Sequence, residues 1–251
     1  MKILRFTLSG KQAFFKKPEV NSHYYFTYGH IHKVALQGMF GAILGYGGYA
    51  QQTAQYGNHT EVPDYPEFYE KLQNIKVSVI PVCEKGNFSR KIVNFNNSVG
   101  YASKQQGGNL IIKEQWLENP KWYVYVAVDS EETEKLADSM LHRICVYLPY
   151  LGSNDHMADI EDVAILNGVE NKDVQQVDSL FPKEQIMVDV DDYEQENPFK
   201  YEEALPCGLD RELNQYVFRR YVLTNMAVTQ ALCVVYEIQD VNQKKYNITF
   251  Y

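Results

Sequence analysis

The chain has 251 residues; 45% are hydrophobic and 34 are aromatic (20 Tyr, 12 Phe and 2 Trp). That length suits one large domain or two small ones, and so many rings exclude a disordered chain, which could not keep them out of water. The net charge of −8 conceals a split: residues 1–128 carry 14 Lys/Arg against 8 Asp/Glu, a balance of +6, whereas residues 129–251 carry 10 against 24, a balance of −14. Such asymmetry points to two faces with different partners, the basic one suited to an anion. Residues 1–60 hold six basic residues and one acid, Glu19, and residues 85–113 hold Lys85, Arg90, Lys91, Lys104 and Lys113 with no acid. Cys83, Cys145, Cys207 and Cys233 form no Cys-x-x-Cys, so free thiols are expected rather than a zinc ribbon or a disulfide scaffold. The start, Met1-Lys2-Ile3-Leu4-Arg5, has no export signal. The longest uncharged run, Val34–Thr60, is too glycine-rich and polar to span a membrane. A cytoplasmic protein with no membrane partner is expected.

In chain order, Leu4, Phe6 and Leu8 alternate with Ile3, Arg5 and Thr7, the pattern of a strand with one buried face. A polar loop from Ser9 to about Gly29 follows, and then a helix over Ile31–Leu44 that is apolar all round and must be buried. Its glycines, Gly38, Gly41 and Gly45, are expected to let it approach a sheet closely. After a proline-marked loop (Pro63, Pro66), Ile75–Ile80 reads as a second strand. Two polar strand-like runs, Arg90–Val99 and Asn109–Gln115, flank the turn-like Lys104–Gly108 and predict a projecting basic hairpin. Lys121–Val128 is a third strand. Asp129 is expected to cap the next helix, with Glu132 completing a capping box and Leu136, Met140, Leu141 and Ile144 facing inward. A strand near Ala158–Leu166 completes a β-α-β, hairpin, β-α-β order, the ferredoxin-like plan shared with RNA-recognition modules. The expected class is therefore α+β, a ferredoxin-like domain over 1–166 with a thumb hairpin inserted at about 85–119. Residues 167–251 form an acidic, partly β extension rather than an independent domain, loop-rich over 167–203, with Val228–Ile238 and Tyr246–Tyr251 as a closing hairpin.

Several motifs fail their chemistry. Gly41–Gly48 has no Lys-Ser/Thr after its glycines and ends a helix instead of beginning one, so it is no phosphate loop. Asp189-Val190-Asp191-Asp192 lacks the Gly and Glu of a calcium loop and reads as a solvated acidic loop or a contact for a basic partner, so no metal or other cofactor is expected. No His-Glu-x-x-His or Gly-x-Ser-x-Gly occurs. Tyr28, His30, His32 and Lys33 gather a phenol, two imidazoles and an ammonium at a helix start. Those groups suit phosphate binding, with metal-independent RNA cleavage as the alternative. The Lys/Arg-Gly-aromatic signature of RNA-recognition modules is absent, so RNA would be held by the hairpin and loops instead of the sheet face.

Leu4-Arg5-Phe6, the Phe14–Pro18 loop, the helix Lys33–Gly45, the approach to Asn119-Pro120-Lys121 and the segment Leu148–His156 carry a family likeness. In these segments, within about residues 1–165, the chain resembles the fifth family of CRISPR-associated (Cas) subunits of the RAMP superfamily, in its type I-B branch. The resemblance implies a subunit of Cascade, the guide-RNA surveillance complex of prokaryotic antiviral defence. Such a subunit caps the 5′ handle of the CRISPR RNA and contacts the backbone and large subunits, meeting target DNA only indirectly. In the type I-C branch the family cleaves precursor RNA with a Tyr and an adjacent Lys and His. Here Lys113 precedes Glu114 and Lys104 precedes Gln105, so a non-catalytic role is expected, with a purely structural adaptor as a further alternative. The expected RNA-binding residues are Arg5, Lys16, Lys17, Tyr28, His30, His32, Lys33, Arg90, Lys91, Lys104, Lys113, Asn154 and His156, with Phe95 and Tyr101 as stacking planes.

Overall fold

A computed structural model describes residues 1–19, 24–57, 63–96, 100, 104–106, 111–190 and 197–251. Strand β1 (Lys2–Ser9) leads through the short strands β2 (Gln12–Ala13) and β3 (Tyr24–Tyr25) to helices α1 (Lys33–Leu44), α2 (Tyr49–Tyr56) and α3 (Glu67–Leu72). Strand β4 (Val77–Pro81), the hairpin β5 (Arg90–Asn96) and β6 (Ile111–Glu118), strand β7 (Lys121–Ala127), helix α4 (Glu131–Leu141) and strand β8 (Asp159–Asn171) follow. The remainder is mostly strand: β9 (Phe181–Pro182), β10 (Ile186–Val188), β11 (Lys200–Leu209), β12 (Tyr216–Thr224), β13 (Val228–Ala231), β14 (Val235–Gln239) and β15 (Lys245–Thr249). No helix among the described residues is long and apolar enough to cross a membrane.

The main sheet runs β15-β14-β8-β1-β7-β4, every neighbour antiparallel. Beyond β15, Tyr251 exchanges backbone hydrogen bonds of 3.0 and 3.2 Å with Val77 of β4, so the sheet curls until its two edges meet. One face buries Leu4, Phe6, Leu8, Val124 and Val126 against Leu36, Phe40 and Ile43 of α1 and Leu136 and Met140 of α4. The same buried cluster takes in Tyr201, Leu205, Tyr221 and Leu223 of the β11–β12 pair. The other face buries Ile3 and Tyr125 against Ile238, Tyr246 and Ile248 of the C-terminal hairpin.

That second core corrects the reading of β1. Ile3, Arg5 and Thr7, expected to face water, are as buried as Leu4, Phe6 and Leu8, because the β14–β15 turn delivers a partner for the one charge among them. Arg5 Nε and Nη2 donate to the two carboxylate oxygens of Asp240 at 2.7 and 3.0 Å, and Nη1 donates to Thr7 Oγ1 at 2.8 Å.

Other expectations shift for local reasons. Helix α1 starts at Lys33, since His32 is its cap. Helix α4 is capped by Ser130, whose hydroxyl accepts from the Thr133 amide while Thr133 reaches back, so the capping box is Ser130–Thr133 and not Asp129–Glu132. Leu141 and Ile144 are exposed because α4 ends at Leu141. Helices α2 and α3, read as loop, carry little signal: α2 buries no residue, and α3 has six residues. The α1 glycines do not face a sheet: a side-chain carbon on Gly41 would come within 2.5 Å of Phe68 Cβ in α3, and one on Gly45 within 2.8 Å of Val146. The acidic extension is richer in strand than expected, and all four cysteines are free, as expected.

Removing one partner of a buried ion pair strands the other charge, which typically costs ~3–5 kcal/mol, whereas replacing both by apolar groups of similar volume is often neutral. Asp240→Ala should therefore lower stability by about that amount in urea titration, and adding Arg5→Met should restore much of it.

Candidate RNA-binding surface

Helix α1 places Ala35, Gly38 and Ala42 on one outward stripe, three and four residues apart. This stripe floors a cleft of about 610 Å³, within the ~300–1,000 Å³ usual for ligand pockets. Tyr46, Tyr49, Tyr147, Tyr150 and Tyr216 wall it, and Lys16 stands at its rim. No carboxylate lines it among the described residues, although the chain carries 32 Asp and Glu. Gly38 opens into this space: a side-chain carbon there meets no atom within 4 Å.

The cleft wall is built from Leu148–Gly152, and its backbone explains why. Tyr147 N donates to Ala42 O at 3.0 Å, tying the segment to the end of α1. Phe14 N donates to Leu151 O at 3.0 Å, and Gly152, at φ 86°, would bring a side-chain carbon to 2.0 Å from Phe14 O. Only glycine tolerates both that left-handed backbone and that contact. From here the surface runs to the hairpin. Leu151 N donates to His156 O at 2.7 Å, and the His156 ring meets the Trp116 ring edge-on at 4.4 Å between centroids. Trp116 of β6 also contacts Phe95, at 5.4 Å, and receives Lys91 Nζ 5.7 Å above its ring.

The hairpin exists as expected, but its cations do not share one face. Register pairs Lys91 with Trp116 and Asn94 with Lys113. Period-two alternation then puts Lys91, Phe95, Trp116 and Glu114, whose Oε2 accepts from Trp116 Nε1 at 2.8 Å, on the face that meets His156, and Arg90 and Lys113 on the opposite face. Lys104 is exposed, as is Asn154, and Lys16 is exposed with its ammonium 3.7 Å above the Tyr25 ring. Lys17 is partly buried and bound to Glu203 at 2.8 Å. Lys33 is half-buried on α1, its pKa lowered by burial, and stands with Arg219 and Cys207 away from the hairpin. Tyr101 and the acidic residues Asp191 and Asp192 lie outside the described residues.

Five of the expected RNA contacts, placed on the surface by the sequence reading, are instead buried: Arg5, Tyr28, His30, His32 and His156. Arg5 is 1% exposed and consumed by Asp240. Tyr28 is buried, with Lys17 Nζ 5.0 Å over its ring. His30 is 0% exposed: its Nε2 bonds Gly86 O at 3.0 Å and its Nδ1 accepts from Trp122 Nε1 at 3.3 Å, which fixes a neutral ring with the proton on Nε2. His32 is buried, and its Nδ1 accepts from the Ala35 amide at 3.2 Å. The imidazole thus takes one of the free donors at the helix start. His156 is buried under Trp116 at the root of the hairpin, where burial lowers its pKa. Sequence reasoning misses the tyrosine walls and the α1 stripe, although the Ala35-Gly38-Ala42 spacing is visible in the sequence. Among the described residues no group of three or more His, Cys, Asp or Glu could hold a metal ion.

Burial lowers His30 to about 4 and His32 to about 3, from ~6.5 in an unfolded chain. Both are neutral in either state above pH 6.5; below it the unfolded chain binds protons that the folded chain refuses, so stability falls on acidification until the folded pKa is reached. For each buried imidazole the loss approaches roughly 1.4 kcal/mol per pH step across that window. Chemical denaturation at pH 7 and pH 5 should show that loss, and His32→Asn, which keeps a capping oxygen, should reduce it.

No protein-family model matches the chain, and no curated protein matches it. Among solved structures, the chain is similar to a component of a CRISPR RNA-guided surveillance complex, with 13% identity, a TM-score of 0.49, and 90% of this chain and 91% of that one covered. It is also similar to a CRISPR protein from Archaeoglobus fulgidus, with 9% identity, a TM-score of 0.45 and 98% of each chain covered. A third similar chain belongs to the Type III-B Cmr-beta complex bound to cognate target RNA and AMPPnP, with 10% identity, a TM-score of 0.44, and 91% and 86% covered. Scores below 0.5 at such identities decide neither family nor activity.

Proposed function

We infer that the protein is a non-catalytic RNA-binding subunit of a CRISPR ribonucleoprotein, holding the 5′ handle of the guide RNA in the α1 cleft and along the Lys91 face of the hairpin. The observation that carries this reading is the carboxylate-free, tyrosine-walled cleft, joined through Gly152, Leu151, His156 and Trp116 to the hairpin face that bears Lys91. Single-stranded RNA is held without extensive base pairing by rings that stack on its bases and cations that track its backbone. Tyr147 and Tyr150, each about half exposed, offer the rings; Lys16 and Lys91 offer the charge. The strand order β8-β1-β7-β4, with helices in both β-α-β connections, supports the ferredoxin-like plan shared by RNA-binding modules. The nuclease alternative draws less on this geometry: Tyr28 and His30 are buried and do not line the cleft, and His32, which does line it, spends Nδ1 on the Ala35 amide. Contacts with backbone and large subunits belong to the same proposal, with the exposed Ile144, Val146 and Leu148 beside the cleft as apolar surface available to a protein.

Two glycines one helical turn apart separate binding from folding. Gly38→Leu starts its side chain into the cleft, where a Cβ meets no atom within 4 Å, and improves helix propensity by about 1 kcal/mol; handle RNA binding should fall at least tenfold with stability kept. Gly41→Val drives into Phe68 and should cost ~1–3 kcal/mol as overpacking. Fluorescence anisotropy with repeat RNA, beside urea melts, checks both. Full RNA affinity in folded Gly38→Leu overturns the cleft as the site.

A further inference from the structure

The acidic half of the sequence conceals a basic surface. On β11 and β12, Glu202 receives Lys183 Nζ at 2.9 Å, Arg220 Nη1 at 3.0 Å and Lys200 Nζ at 3.4 Å. Arg219, which alternation puts on the other face of β12, pairs with Glu184, so on the Arg220 face three cations meet the one carboxylate of Glu202. One carboxylate cannot use the donors of a guanidinium and two ammonium groups, and the Arg220 side chain is 68% exposed. The crowding holds Glu202 down at about 2, with Lys183 as the chief cause, so the carboxylate stays charged and the surplus stays positive.

The surplus is placed at the end of an aromatic path. Strand β12 begins at Tyr216, which walls the cleft and meets the His32 ring at 5.5 Å. Phe218, 43% exposed, meets Tyr216 edge-on at 6.2 Å. Tyr216, Phe218 and Arg220 are alternate residues of one strand and therefore share a face, at steps of about 6.7 Å, comparable to the repeat of an extended nucleotide.

We propose that β12 is a second segment of the nucleic-acid path: single-stranded RNA leaving the α1 cleft passes over Tyr216, stacks a base on Phe218 and sets phosphates among Arg220, Lys183 and Lys200. An acidic peptide would use the same cations but has no need of the ring, so Phe218 favours nucleic acid. The proposal rests on the cleft reading and extends it to residues that the −14 balance of residues 129–251 would assign to the side kept off RNA.

The test uses the full chain and two single-stranded RNAs sharing a 5′ sequence, of about 6 and about 12 nucleotides, within the ~4–16 typical of single-strand sites. Wild type should bind the longer RNA more tightly. Lys183→Ala with Arg220→Ala should remove that advantage and reduce the salt slope for the longer RNA by about 1.4, two phosphates at ~0.7 each, while leaving the shorter RNA unaffected, which also reports correct folding. Phe218→Ala should weaken the longer RNA roughly tenfold. Equal binding of both lengths by wild type, or an advantage that survives the variants, overturns the β12 path while the cleft stands. Competition by polyglutamate together with indifference to Phe218→Ala assigns the patch to an acidic peptide and overturns it as well. Failure of wild type to bind either RNA overturns the cleft reading itself, and the path with it.

Discussion

The pairing of Arg5 with Asp240 sets the architecture. It joins residues 235 positions apart, each almost fully buried, and a charge in that position cannot be left alone. The β14–β15 turn must therefore dock on the back of β1. Once it does, Ile3 and Tyr125 gain Ile238, Tyr246 and Ile248 as neighbours, and the sheet extends from β8 and closes on β4 through Tyr251. A buried pair of this kind adds little net stability compared with apolar side chains, but once either partner is present the other is required, since a lone buried charge is costly. With the back of the sheet filled by the chain's own end, the front is left to α1 and α4, and the outer side of α1 becomes the part of the helical layer that a ligand can reach.

Helix α1 meets opposite demands on its two sides. Leu36, Phe40 and Ile43 fill the core and Gly41 admits Phe68, whereas Ala35, Gly38 and Ala42 leave room outside. An ordinary amphipathic helix would turn charged groups outward; this one turns small apolar residues outward and relies on tyrosines from other segments to wall the space. The Leu148–Gly152 segment serves as wall and hinge post together, since its backbone is pinned to Phe14, to Ala42 and to His156. The hairpin takes its bearing from the last of these, through Trp116.

Much of the framework was legible in the sequence, because β1, α1, β7 and α4 have strong periodicity and the hairpin has a distinct polar, basic composition. The second face of β1 was not legible: Arg5 and Thr7 look like solvent residues until a partner from the far end of the chain is in place, and alternation cannot register a buried ion pair. The histidines misled for a related reason. Imidazoles beside a helix start suit a phosphate equally well as a backbone amide, and only the positions of Ala35 and Trp122 show that the rings are already engaged. The cleft was hidden because its walls come from α1, Tyr49, the 147–152 segment and β12. Net charge by segment also failed locally, since Lys183, Lys200 and Arg220 are scattered among acids in sequence and gathered only by strand pairing.

The central claim is that RNA occupies the tyrosine-walled cleft. It is tested most directly by purifying the protein with its native partners, irradiating at 254 nm, and mapping the cross-linked nucleotides and peptides together. One short RNA species with a common 5′ tag is expected, cross-linked through that tag to peptides containing Tyr147, Tyr150 or Tyr49. Recovery of the protein without RNA, or cross-links confined to Arg90, Lys113 and the far side of the hairpin, would contradict it.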